Sequence, residues 1–219
     1  MDSFDRERTV ARDAARRAGL LCLAIRREML RATEAVNKAR QEPVTTADWG
    51  AQAVILHLIA QHMPGDCTIA EERAAEFQAL ASQGQRTRIL HHVGEALGRN
   101  VTLDEIKDWL DYGCQTESPR VWMIDPIDGT KGFLRGDQFA VAIGFMVEGE
   151  LAVAALACPQ LPLHDRQPDG PRGVIFTAVQ GRGATIEPLQ GGRACPVQVS
   201  ILDDPRQARV VESVEPGHT

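Results

Sequence analysis

The chain has 219 residues, 43% of them hydrophobic, enough to bury the core of one large domain or of one domain and part of another. Thirty Asp and Glu against 24 Lys and Arg leave a net charge of −6 with no basic cluster, which argues against a nucleic acid polymer or an anionic membrane surface as partner. No apolar run reaches the roughly 18 residues of a membrane span, and the start MDSFDRERTV lacks the basic-then-apolar order of a secretory leader, so the chain reads as cytoplasmic.

From Asp5 to about Val36, apolar residues recur at Val10, Ala14, Ala18, Leu21, Ile25, Met29, Ala32 and Val36, the spacing of one face of a long helix. NKARQEPVTTAD reads as a loop, because Pro43 disfavours helical geometry at Glu42 and the threonines favour a cap. A second helix is expected from about Thr46 to Met63, with Ala53, Leu56, Ile59, Ala60 and Met63 inward and Pro64-Gly65 as its stop. DCTIAEE, residues 66–72, reads as a short strand ending in two acids. A polar helical stretch follows, then a capping box at Thr102 and Glu105 that opens a short helix ending at Gly113.

After the apolar run Val121 to Ile124 the pattern changes. FAVAIGFMV and LAVAALA flank Glu148-Gly149-Glu150 as one hairpin, and GVIFTAV and ATIEPL flank Gln180-Gly181-Arg182-Gly183 as another. Residues 158–173, rich in proline, read as a surface loop. Helices followed by antiparallel strands give an α+β class. The five cysteines are scattered and odd in number, with no C-x-x-C pair, and are expected to be reduced and structural.

The sharpest local feature is Asp125-Pro-Ile-Asp128-Gly-Thr130. Two acids at i and i+3 around a Pro-Ile turn can converge on one point, and converging carboxylates are costly unless a cation neutralises them. Hard oxygen donors, with the carbonyl of Ile127 as a further one, suit Mg²⁺. Each piece alone has an ordinary reading: Asp-Pro and Asp-Gly are turn pairs, Glu71 and Glu72 a solvated charge pair, and Asp48 a helix-start residue.

Taken together, P-V-T-x-A-D at 43–48, A-E-E at 70–72 and D-P-I-D-G-T-K-G-F at 125–133 resemble the inositol monophosphatase superfamily of Mg²⁺-dependent, lithium-sensitive phosphatases. TKGFLRGDQFAVAI, LACPQLPL and ESVEPGH resemble its 3′(2′),5′-bisphosphate nucleotidase branch. The resemblance implies a layered sandwich of N-terminal helices on an antiparallel sheet. It assigns Glu71, Asp125, Asp128 and the Ile127 carbonyl as metal ligands, and Asp48 and Thr130 as the pair that orients and deprotonates the attacking water. It makes Glu72 an acid behind the ligands or an outer ligand. Gly129 and Thr130 would bind the scissile phosphate, and His218 would lie near the base. The cofactor would be roughly two or three Mg²⁺ ions in a complete site. The implied reaction removes the 3′-phosphate of a small nucleotide, 3′-phosphoadenosine 5′-phosphate, giving AMP and phosphate by in-line attack of metal-activated water. An inositol phosphate phosphatase and a non-catalytic metal-binding or interaction module are the alternatives.

Members of that superfamily are longer and carry a W-D-x-x-A motif in a second α/β domain, whereas none of Trp49, Trp109 and Trp122 precedes an aspartate. The resemblance therefore implies a metal-binding phosphatase domain at 1–204 and the start of a truncated α/β domain at 205–219, with the second domain largely absent. An uncovered domain face would offer a surface for self-association. Cys158 is expected in the core, and His57, His62, His91, His92 and His164 are expected to have no ligand role.

Overall fold

The structure, a computed structural model, describes residues 3–33, 42–113, 118–163 and 170–208. It opens with two long helices, α1 (Asp5–Thr33) and α2 (Glu42–His62). On α1 the apolar stripe of Val10, Ala14, Ala18, Leu21 and Ile25 is buried, as its spacing predicts. Helix α2 begins some four residues before the expected start. Pro43 sits in the first turn, where its missing N–H would have no intrahelical acceptor, so it opens the helix instead of delaying it. Residues 49–56 of α2 are buried without interruption, so this helix runs through the middle of the molecule rather than over its surface.

Strand β1 (Cys67–Ala70) is followed by α3 (Ala74–Leu80), α4 (Gln83–Leu97) and α5 (Leu103–Leu110). The capping box that opens α5 is present: the Thr102 hydroxyl accepts from the Glu105 N–H, and Glu105 accepts from the Thr102 N–H at 2.8 Å. Then come β2 (Arg120–Asp128), α6 (Thr130–Arg135), β3 (Ala140–Val147), β4 (Glu150–Pro162), β5 (Arg172–Val179), β6 (Gly183–Pro188) and β7 (Cys195–Val197), and a 3-10 turn at Pro205–Gln207.

The seven strands form one sheet in chain order, with β1 parallel to β2 and every later pair antiparallel. Both expected hairpins form. At the first, Glu148 and Gly149 have φ of 52° and 84°, the doubly left-handed pair that matches strand twist in a two-residue turn. The segment expected to be a loop from 158 is strand as far as Pro162, paired to Arg172 of β5, because an irregularity after Cys158 carries the ladder past Pro159. Cys67 is disulfide-bonded, which corrects the expectation that all five cysteines are reduced.

One sheet face, carrying Trp122, Ile124, Val141, Ile143, Phe145, Val153 and Ala155, is buried in the same core as α1 and α2. The other face holds a small cluster of Ala140, Cys158 and Val174, and leaves Ile69, Met123 and Leu151 about half exposed. At the far end of β2, Arg120 donates to both oxygens of Asp66 at 2.6 and 2.9 Å and to Glu7 at 2.9 Å. The indole N–H of Trp122 also donates to Asp66, at 2.9 Å. This charge-assisted network ties α1, the start of β1 and β2 together, and so fixes how far β2 projects towards its other end. No helix among the described residues is long and apolar enough to cross a membrane.

Candidate metal and active site

Three elements deliver carboxylates to the C-terminal ends of β1 and β2. The parallel register sets Ala70 against Ile124, so Glu71, the first residue past β1, and Asp125, the next residue of β2, lie side by side. Asp125 pairs with Ala142 and Asp128 with Ala140. Three steps on β2 thus match two on β3, a β-bulge. The bulge changes the side-chain parity: residues at i and i+3 of a regular strand face opposite ways, whereas here Asp125 and Asp128 share a face. The corner is a bulged strand end rather than a free turn. The third contribution is Asp48, in the second turn of α2. The early start of that helix removes the capping role its sequence position implied.

The electrostatics report convergence. Burial, with the charges of Glu72, Glu71 and Asp125, pushes the Asp48 carboxyl up to about 8. Burial, then Asp128 and Glu71, raises Asp125 above the ordinary carboxylate range. Glu72 is raised by burial, Glu71 and Glu76. Acids that raise one another across three elements form a donor set that a cation relieves, and their oxygens are the hard donors Mg²⁺ prefers. The residues present therefore fit the metal. They are not drawn into contact: among the described residues, no three of these acids bring ligand atoms within 4.8 Å of one another.

Thr130 begins α6, with Gly129 at its N-cap in the left-handed region at φ 87° and no side chain capping the helix. The Thr130 hydroxyl donates to the Ile127 carbonyl at 3.3 Å, and no hydrogen bond joins it to Asp48, although α6 packs against α2. Phe133 and Phe139 anchor α6 edge to face, with centroids 5.0 Å apart. Gly132 has no room for a side chain, since a Cβ there would lie 2.2 Å from the Gln138 carbonyl oxygen. Cys158 is buried, and burial with the nearby Asp128 pushes its thiol up to about 11, in keeping with a core residue rather than a nucleophile. His218 lies outside the described residues.

Sequence reasoning missed Gln52. This fully buried amide donates to the Glu72 carbonyl and accepts from the Glu72 N–H, each at 2.8 Å, and so clamps the chain that carries Glu71 and Glu72 to α2, one turn from Asp48. Its signal in the sequence is one amide inside the apolar run AQAVILHLIA. His91 and His92, expected to have no ligand role, lie with Glu95 so that three candidate ligand atoms fall within 4.8 Å of one another, a juxtaposition that sequence spacing did not signal.

Helices on one face of a mixed sheet, with acids gathered at the strand ends, define an α+β protein with a candidate metal site, and the chain belongs to the inositol monophosphatase family, whose sequence profile matches residues 5–218. It is 35% identical to the 3′(2′),5′-bisphosphate nucleotidase of Emericella nidulans, over 99% of this chain and 68% of that protein. To 3′(2′),5′-bisphosphate nucleotidase 1 of Arabidopsis thaliana it is 33% identical, over 99% and 67%. To the 3′(2′),5′-bisphosphate nucleotidase of Schizosaccharomyces pombe it is 32% identical, over 99% and 66%. The chain thus spans about two thirds of the length of these relatives. Among solved structures, Mycobacterium tuberculosis SuhB matches with a TM-score of 0.53 and 21% identity, over 91% of this chain and 54% of that one. The inositol monophosphatase from Anabaena (Nostoc) matches with a TM-score of 0.50 and 21% identity, over 89% and 49%. These two share the fold.

Proposed function

We propose that this chain carries the metal-binding half of a phosphatase that hydrolyses the 3′-phosphate of 3′-phosphoadenosine 5′-phosphate to AMP and phosphate. The observation that carries the reading is the meeting of these acids in one field: burial, then the charges of Glu72, Glu71 and Asp125, pushes Asp48 up to about 8, and Asp128 in turn raises Asp125. The substrate class rests on the named relatives, which are bisphosphate nucleotidases at 32 to 35% identity.

In this reading Glu71, Asp125, Asp128 and the Ile127 carbonyl hold Mg²⁺, with Glu72 behind them. Bound there, the metal supplies Lewis acidity and neutralises charge on the phosphate. Asp48, ionised once a cation neutralises the neighbouring acids, accepts the proton of the attacking water, with the Thr130 hydroxyl as its partner in orienting that water. Backbone N–H groups at Gly129 and Thr130, at the uncapped start of α6, bind the phosphate oxygens. Gln52 keeps the Glu71 and Glu72 corner in register with Asp48.

The test is phosphate release by the purified chain with Mg²⁺, from 3′-phosphoadenosine 5′-phosphate and, separately, from inositol 1-phosphate. Preferential release from the nucleotide, abolished in Asp125→Ala, is the expected result. Preferential release from the inositol phosphate would overturn the substrate assignment. No release from either would leave a metal-binding module in place of an enzyme.

A further inference from the structure

Helix α4 carries His91, His92 and Glu95 within little more than one turn. Nε2 of His91 lies 3.6 Å from Glu95 Oε2, and Nδ1 of His92 lies 3.8 Å from the same oxygen. The His92 side chain is only 7% exposed, and its Nδ1 is buried with no hydrogen-bond partner. Its other nitrogen, Nε2, lies 2.8 Å from Glu28 Oε2 on α1. An ionised carboxylate only accepts, so the Glu28 contact calls for a proton on Nε2, and in the neutral ring Nδ1 is then the lone pair on the Glu95 side. A buried acceptor without a partner is a standing penalty that an ion would remove.

We propose that His91, His92 and Glu95 bind a divalent cation of the zinc class, with Glu28 as a positioning residue. Two imidazole nitrogens and one carboxylate are the donor set of Zn²⁺ and its neighbours, not of Mg²⁺. Around a tetrahedral zinc with bonds near 2.0 to 2.1 Å, ligand atoms stand about 3.4 Å apart, so the two spacings to Glu95, 3.6 and 3.8 Å, need only small side-chain movements, and all three ligand atoms lie within 4.8 Å of one another. A carboxylate on the far nitrogen of a ligating histidine is the usual device for holding tautomer and ring orientation. A cavity of about 520 Å³, lined in part by His91, Gly94, Glu95 and Arg99, reaches two of the three ligands and leaves room for a water as fourth ligand. The site stands apart from the acid corner in residues and donor type, so it does not depend on the phosphatase reading.

The test is a calorimetric Zn²⁺ titration of the purified chain in excess Mg²⁺, repeated with Co²⁺ to read the visible ligand-field spectrum. One saturable Zn²⁺ site is expected. His91→Ala and Glu95→Gln, both at exposed positions, should each weaken it at least tenfold. Glu28→Gln should weaken it by about 10- to 100-fold and alter the Co²⁺ spectrum. Asp125→Asn should leave it unchanged. Absence of a saturable site, or binding that survives both His91→Ala and Glu95→Gln, would overturn the proposal. Binding lost in Asp125→Asn would place the ion at the acid corner and overturn it equally.

Discussion

Gln52 shows how one side chain can place a site without touching its chemistry. Both ends of its amide are used on Glu72, inside a helical stretch, residues 49–56, that is otherwise apolar and buried throughout. Replacing it by Leu keeps the volume near constant but strands a backbone N–H and a carbonyl, a loss of about 1 to 3 kcal/mol. Denaturant titration of Gln52→Leu should show that loss, and its Mg²⁺ affinity should fall because Glu71 and Glu72 are no longer held. A second residue sets a pH dependence. His57 is packed on Trp109, with ring centroids 4.3 Å apart, and burial, then the Arg99 charge, lowers its pKa below 6.5. The folded state therefore favours the neutral ring. Its contribution is complete above pH 6.5 and is lost as pH falls below it, where the unfolded chain takes up the proton first. Stability of His57→Gln should fall less steeply than that of the native chain in this range, and equal slopes would show that His57 is not the group responsible. Residues of this kind are poorly legible in a sequence: the partner of Gln52 is 20 positions away and that of His92 is 64 positions away.

The elements were more legible than the joints between them. Periodicity read α1, the turn chemistry read both hairpins, and Thr102 with Glu105 read the start of α5, because each signal is local. Pro43 misled because the same residue that disfavours a helix before it is at home in a first turn. The bulge in β2 was hidden for a different reason: Asp-Pro-Ile-Asp fits a turn as well as a bulge, and only the pairing partners on β3 distinguish them. Downstream of the bulge, α6 can dock only because Gly132 lets the Gln138 carbonyl approach. Gly132→Ala should lower stability by about 1 to 3 kcal/mol through this overpacking. It should also displace Thr130, so phosphate release should fall by more than the unfolded fraction explains. Unchanged melting temperature would contradict the observed approach.

At the scale of the molecule, the sheet works as a ruler. The Arg120, Asp66 and Glu7 network fixes one end of β2, and the parallel pairing with β1 carries Asp125 and Glu71 to the other end together, beside Asp48 on the central helix. Three motifs separated by more than 20 residues each announced this corner in the sequence through resemblance, whereas composition and spacing alone left each with an ordinary structural reading. On the proposed reading these acids form a hard-cation site. Calorimetric titration of the purified chain with Mg²⁺ tests it most directly, with Asp125→Asn and His91→Ala run alongside. Saturable binding that disappears in Asp125→Asn and persists in His91→Ala is the predicted result. Binding that is absent from the native chain, or indifferent to Asp125, would contradict it.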